Sequence, residues 1–122
     1  ARVTAADVGM IQQAAIFDEV SARLGAIPPV IDAADVLREP RATLARLCAA
    51  VGIEFDERML AWPPGRRDTD GVWARHWYEA VEASTGFQPY RPPPASLPDE
   101  LEAVAEASKP AYERLREHVL RP

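Results

Sequence analysis

The chain has 122 residues, of which 48% are hydrophobic, and it carries a formal net charge of −5 with a pI near 5.0. This length corresponds to one domain with a modest core, and the acidic balance argues against binding to nucleic acid or to anionic membranes. The one cysteine, Cys48, excludes an internal disulfide, and no stretch has the pattern of a signal peptide or of a membrane span. Together these features predict a soluble, cytoplasmic protein.

The N-terminal residues predict a helix followed by a short strand. Thr4, with Asp7 three residues later, marks a helix start, and Gly25 is placed to end that helix. An apolar stripe lies between them, formed by Met10, Phe17, Val20 and Leu24. The run PPVID (28–32) then predicts a buried strand centred on Val30 and Ile31.

A lone strand has no partner for its backbone hydrogen bonds, which is costly beneath a core. We therefore expect another chain, or more of the same polypeptide, to complete the sheet. The opening residues ARVT lack an initiator Met and lead directly into the first helix. Both features are typical of a fragment of a longer protein.

Two further helices are predicted before residue 60. Asp32 or Asp35 can cap a short helix, and Pro40 fits the first turn of the next. Leu44, Leu47, Cys48 and Val51 then recur at helical spacing, and Gly52 follows as a stop. Residues 1–60 are therefore expected to form a helix–strand–helix–helix core, with Cys48 as a small buried hydrophobe.

The C-terminal third begins with five prolines between Pro89 and Pro98, which predict a stiff, extended strap over residues 88–97. An SH3-type ligand is the alternative interpretation of this segment. Ser96 with Asp99 resembles a capping box, and residues 98–122 predict a helix that is broken or kinked at Pro110. The chain as given is predicted to be a single partial domain, predominantly α, with four to five helices and one short strand.

The segment 61–87 carries the most distinctive pattern, GRRDTDGVWARHWYEAVEASTGF. Gly65 and Gly71 allow close backbone approach, and the forked donors of Arg66 and Arg67 suit phosphate oxygens. Asp70 can cap the helix that follows, whose first N–H groups also favour an anion. The segment therefore fits an anion-binding loop.

The same segment also fits a solvated arginine turn. In that interpretation Trp73 and Trp77, four residues apart on one face, anchor a core helix. Asp68 and Asp70 would then neutralise the arginines beside them. The spacing alone leaves both interpretations open.

Residues 31–60, IDAADVLREPRATLARLCAAVGIEFDERML, resemble a late segment of sulfotransferase-fold P-loop proteins. The segment 65–87 resembles the C-terminal nucleotide motif of that family, Arg-Lys-Gly, two variable residues, then Gly-Asp-Trp-Lys. The chain is most similar in pattern to the C-terminal part of a bacterial sulfotransferase-like group that carries GvWa..WY..v..STGF. The resemblance covers nearly the whole chain.

The resemblance implies the C-terminal portion of an α/β P-loop fold and a 3′-phosphoadenosine 5′-phosphosulfate donor for sulfuryl transfer to a hydroxyl or amine. In that family the arginine motif holds the donor's 3′-phosphate, a place that Arg66 and Arg67 would take here. Gly71 would take the place of the motif glycine and Trp73 that of its tryptophan. Val72 and Ala74 stand where the motif has Asp and Lys, and Arg75 is the candidate substitute for that Lys.

The family's phosphate-cradling loop has no counterpart in this sequence, which contains no Gly-rich loop ending in Lys-Ser or Lys-Thr. The chain alone is therefore expected to supply half of a nucleotide site, with no catalytic residue of its own.

A metal site is not expected, since His76 and His118 are 42 residues apart. The alternative hypothesis is a small α-rich protein-interaction or self-association domain without enzymatic activity. In it the exposed strand and helix stripes bind another chain or a second copy.

Overall fold

The computed structural model describes residues 2–121, and this part of the chain is predominantly α-helical. Its α-helices are α1 (Ala5–Val8), α2 (Met10–Leu24), α3 (Ala33–Arg38), α4 (Pro40–Val51), α5 (Ala74–Trp77), α6 (Glu79–Ala83) and α7 (Asp99–Arg116), with a 3₁₀-helix at Glu57–Met59. The predicted α-rich class is confirmed. The helix number is higher than expected because Gly9 and Tyr78 interrupt two predicted helices.

The first helical layer is formed by α2 packed against α7, with α1 beside them. Ala14 and Leu115 are buried there, and the ring of Phe17 lies 5.1 Å from that of His118. Arg114 donates to the carboxylate of Asp18 at 2.6 Å and to the carbonyl of Ala14. These contacts tie the two ends of the chain together.

The second layer is formed by α3 and α4, joined by the hydroxyl of Thr43, which donates to the carbonyl of Asp35 at 3.1 Å. Thr43 is only 1% exposed, and Cys48 is buried with its sulfur 3.8 Å from that of Met59. The expectation that Cys48 acts as a small buried hydrophobe is confirmed. Val51, the last member of the predicted stripe, is half exposed at the C-terminal end of α4.

The two layers meet at the carboxylate of Asp32. One of its oxygens caps α3 by accepting the Ala34 N–H at 2.8 Å, and the other accepts from the Tyr112 hydroxyl and the Arg116 guanidinium, both at 2.6 Å. Burial opposes ionisation of Asp32, but these donors together outweigh it and lower its pKa below 3.8. The hydrogen bond to Asp32 also raises the pKa of Tyr112.

The predicted buried strand is wrong in extent and in burial. Val30 forms a single parallel bridge with Val119, where the Leu120 N–H donates to the Val30 carbonyl at 2.9 Å, and Ile31 is 38% exposed. The partner that the sequence could not identify is therefore the C-terminal residues of the same chain. One bridge does not make a sheet, so the α/β architecture that the resemblance implies is not visible within residues 2–121.

The C-terminal helix differs from its prediction at its start, and it is not broken at Pro110. Pro98 occupies the position before α7 and provides no side-chain cap, so Ser96 and Asp99 do not form the expected box. The helix then runs through Pro110 to Arg116 as one element, so it is not broken there. Upstream, the strap of residues 88–97 has no regular structure and contacts the helical layers where the Arg38 guanidinium lies 4.0 Å from the ring centre of Tyr90.

The described fold is open for its size. Its accessible surface is 9302 Å², whereas a compact monomer of 13.4 kDa exposes about 6,500 Å². The excess of about 2,800 Å² agrees with the small set of buried apolar side chains in the described residues, which are Ala14, Cys48, Ala74 and Leu115. Much apolar surface is therefore left facing solvent.

Candidate functional site

The segment 61–87 forms a loop whose two ends are held together. Ala61 and Gly86 form an antiparallel bridge, and the Trp62 indole N–H donates to the Ser84 hydroxyl at 3.0 Å. The ring of Phe87 meets that of Trp62 edge-on at 5.6 Å. We call residues 65–71, which lie beyond this closure, the arginine loop.

The arginine loop is shaped by its own backbone hydrogen bonds. Gly65 has φ +111°, a left-handed conformation that favours glycine, and its N–H donates to the Glu82 carbonyl at 2.6 Å. The N–H of Arg67 donates to the carboxylate of Asp70 at 2.9 Å, and the Asp70 N–H donates in return to the Arg67 carbonyl. The loop is thus a closed turn that projects its arginine side chains outward.

Two expectations for this loop are corrected by these contacts. Asp70 does not cap the following helix, because its carboxylate is turned back to the Arg67 N–H, and α5 has no side-chain cap. The N–H of Gly65 is already bonded to Glu82, so Gly65 shapes the turn and does not offer an amide to an anion. The two glycines of the loop therefore have different roles.

Gly71 has a conformation open to other residues, and apart from its two chain neighbours no residue has an atom within 4 Å of the position that a β-carbon would occupy. Nothing in the described fold therefore requires glycine at this position. The space beside its backbone is free for a ligand.

The guanidinium groups of Arg66, Arg67 and Arg75 are exposed, and no described carboxylate lies within ion-pair distance of them. The nearby Asp68 also makes no ion pair within residues 2–121, so it does not neutralise the arginines by direct contact. Each of these forked cations is therefore available to an anionic ligand.

The expected tryptophan-anchored core helix is wrong. Trp73 is 66% exposed and Trp77 is 75% exposed, and the helix breaks at Tyr78 between α5 and α6. Trp73, Trp77 and Tyr78 line an open apolar concavity of about 410 Å³. We call this surface, extended by the exposed side chains of Val72 and Val81, the aromatic patch. Sequence reasoning missed Trp77 and Tyr78 as functional candidates, because their spacing alone favours packing.

A second cavity, of about 270 Å³, lies between α2, α7 and residues 30–33. Its polar lining consists mainly of Asp32, Tyr112 and Arg116, which already bind one another. Among residues 2–121 there is no group of three or more potential metal-ligating side chains, and no helix in that range is long and apolar enough to cross a membrane. The arginine loop and the aromatic patch are therefore the strongest site.

Residues 1–118 match the family model described as a sulfotransferase domain. The chain is also similar to two Arabidopsis thaliana proteins, branched-chain-amino-acid aminotransferase-like proteins 1 and 2, at 37% and 34% identity over 113 residues. These alignments cover 93% of this chain and 20% of each relative, so the chain spans about a fifth of the length of these curated relatives. No solved structure matches the chain.

Proposed function

The chain belongs to the sulfotransferase-domain family, and we propose that it acts as the C-terminal segment of a sulfotransferase-like protein. In this proposal its arginine loop contributes to binding the 3′-phosphate of a phosphoadenosine sulfuryl donor. The observation that carries the proposal is the set of three exposed guanidinium groups without ion-pair partners in the described chain. They lie in the segment that resembles the family's nucleotide motif, although Arg75 is one position beyond the motif Lys.

Each residue has a definite part in this proposal. Arg66 and Arg67 donate to the phosphate oxygens, because a planar guanidinium can contact two oxygens of one phosphate. Arg75 supplies a third positive charge from α5. The bare backbone at Gly71 admits the phosphate, and Trp73 offers an exposed aromatic face beside it.

Further polypeptide supplies the rest of the site in this proposal, including the phosphate-cradling loop and the catalytic base. The open surface of the described fold supports this, since the chain exposes about 2,800 Å² more than a compact monomer of its mass. P-loop architecture stays a prediction, because residues 2–121 form helices and isolated bridges but no parallel sheet. Bacterial origin stays a prediction as well, because the two curated relatives are plant proteins.

The names of the two relatives mention aminotransferase-like proteins, but the alignment reaches only a fifth of their length. Those names therefore assign no reaction to this segment. The family match, which covers residues 1–118, is the more direct guide to its function.

Calorimetric titration with adenosine 3′,5′-bisphosphate tests the proposal, with adenosine 5′-monophosphate as the ligand that lacks the 3′-phosphate. We expect the bisphosphate to bind more tightly, and Arg66→Ala/Arg67→Ala to remove that preference. The matched control is Arg23→Ala/Arg41→Ala, which removes the same charge from arginines that pair with Glu19 and Glu57. Equal affinity for the two nucleotides, or an equal loss in the control, would contradict the proposal.

A further inference from the structure

The aromatic patch and the arginines beside it form a surface that lacks a partner within residues 2–121. Trp73 and Trp77 expose about two-thirds or more of their area, and the arginine loop with Arg66 and Arg67 precedes them directly in the chain. The exposed Arg75 is two positions from each tryptophan and lies on the other face of α5. Residues 65–77 contain three arginines against two aspartates, a positive segment in a chain of net charge −5. Apolar side chains flanked by cations favour an acidic segment that also carries apolar groups.

A segment of that kind is present on the same chain at the start of α7. The first turn of α7 contains Asp99, Glu100 and Glu102, all exposed and without an ion pair among the described residues. Leu97, just before this turn, is 38% exposed. The start of α7 therefore combines three carboxylates with an apolar side chain. The carboxylates can pair with the arginine loop, and the apolar side chain can contact the aromatic patch.

These two surfaces do not meet within one copy. Helix α7 packs on α1 and α2, whereas α5 packs on α6, and no ion pair joins residues 65–77 to residues 99–102. Neither set of charges has an ion-pair partner among the described residues, although water and the start of α7 stabilise the acidic side chains. An intermolecular contact would give both sets partners of opposite charge.

The area of exposed surface is sufficient for such a contact. A stable interface buries about 800 Å² on each partner, and this chain exposes about 2,800 Å² more than a compact monomer of its mass. Aromatic and arginine side chains are also the residue types enriched at interface centres. Two separate contact surfaces on one chain fit within that excess.

We propose that the chain self-associates, with the arginine loop and aromatic patch of one copy receiving the start of α7 of a second copy. The tryptophans supply apolar contact area, and Arg66 and Arg67 pair with the acidic side chains of the second copy. The contact joins unlike surfaces, so it closes into a ring or continues head to tail. Because opposite charges attract across it, association weakens as salt rises.

This inference goes beyond the proposed function, although the two use the same arginines. A nucleotide bound by Arg66 and Arg67 would displace the second copy, so adenosine 3′,5′-bisphosphate is expected to shift the chain toward monomer. The two ideas fail separately. Self-association without any nucleotide effect contradicts only the proposed function, and nucleotide binding by a chain that is monomeric throughout contradicts only the self-association.

Sedimentation velocity over a range of concentrations tests the inference by charge reversal. We expect Arg66→Glu/Arg67→Glu, and separately Asp99→Lys/Glu100→Lys/Glu102→Lys, each to weaken association about tenfold or more. Mixing the two reversed variants should restore it, because opposite charges then face each other again. The control Arg23→Glu/Arg41→Glu changes the net charge as much as the arginine-loop variant does and should associate as the wild type does.

Circular dichroism of each variant establishes that it is folded before it is compared. Because α7 loses favourable charges at its start in the lysine variant, Trp77→Ser provides an independent test that leaves α7 unchanged, and it should also weaken association. A monomeric wild type at every concentration would overturn the inference. So would association that is indifferent to both charge reversals, or a mixture of the reversed variants that stays monomeric.

Discussion

Replacing Asp32 by Ala is expected to destabilise the fold more than removal of any exposed carboxylate. The side chain of Asp32 is 10% exposed and accepts three hydrogen bonds, from the Ala34 N–H, the Tyr112 hydroxyl and the Arg116 guanidinium. Loss of the helix cap costs about 1 kcal/mol, and loss of the short bond from Tyr112 to a carboxylate costs about 1.5 kcal/mol. The sum predicts a loss of about 2–3 kcal/mol, which is a large part of the stability of a small domain.

Urea unfolding followed by circular dichroism measures this loss, provided that the slopes of the variants agree. Asp32→Asn retains an oxygen for the Ala34 N–H and should lose about half as much. Glu19→Ala serves as a control because it removes an exposed carboxylate, the one paired with Arg23 on the same helix, and should change stability little. If Asp32→Ala were no more destabilising than Glu19→Ala, Asp32 would not be the junction between the two helical layers.

The remaining predictions concern pH, the two loop glycines and the cysteine. The pKa of Asp32 is lowered on folding, so its contribution to stability is complete above the unfolded value of 3.8 and is lost as pH falls through the lower folded value. In acid unfolding, Asp32→Asn should therefore lose less stability over this pH range than the wild type does. Gly65→Ala, at φ +111°, should cost about 1–3 kcal/mol in urea unfolding, whereas Gly71→Ala should preserve stability and weaken binding of adenosine 3′,5′-bisphosphate. The thiol of Cys48, 4% exposed, should react with a disulfide reagent much more slowly in the native state than in urea.

Local signals in the sequence predict those helix ends that depend on single residues. Gly25 and Gly52 end their helices in the left-handed conformation, and Asp32 caps α3, as their residue types indicate. These features need only a few neighbouring residues to form. Local sequence patterns are therefore sufficient to predict them.

Contacts between distant residues are beyond such local patterns. The bridge of Val30 to Val119 and the bond of Tyr112 to Asp32 join residues 80 or more positions apart, and none of these residue types indicates its partner. The same holds for the Trp62 indole, which bonds Ser84 and closes the loop. The surroundings of Ser84 in the sequence suit a helix-end group equally well, so this contact could not be predicted.

The tryptophans show most clearly where a spacing pattern stops being informative. A spacing of four residues predicts that Trp73 and Trp77 share a face, but it does not tell what covers that face. The described chain supplies no cover, since both side chains are at least 66% exposed. The surface excess of about 2,800 Å² and the exposed tryptophans thus both indicate that one side of the molecule is left uncovered by residues 2–121. That side can be covered by a nucleotide, by further polypeptide of the same domain or by a second copy. Comparing a nucleotide with and without a 3′-phosphate separates the first of these from the other two, because only nucleotide binding depends on that phosphate.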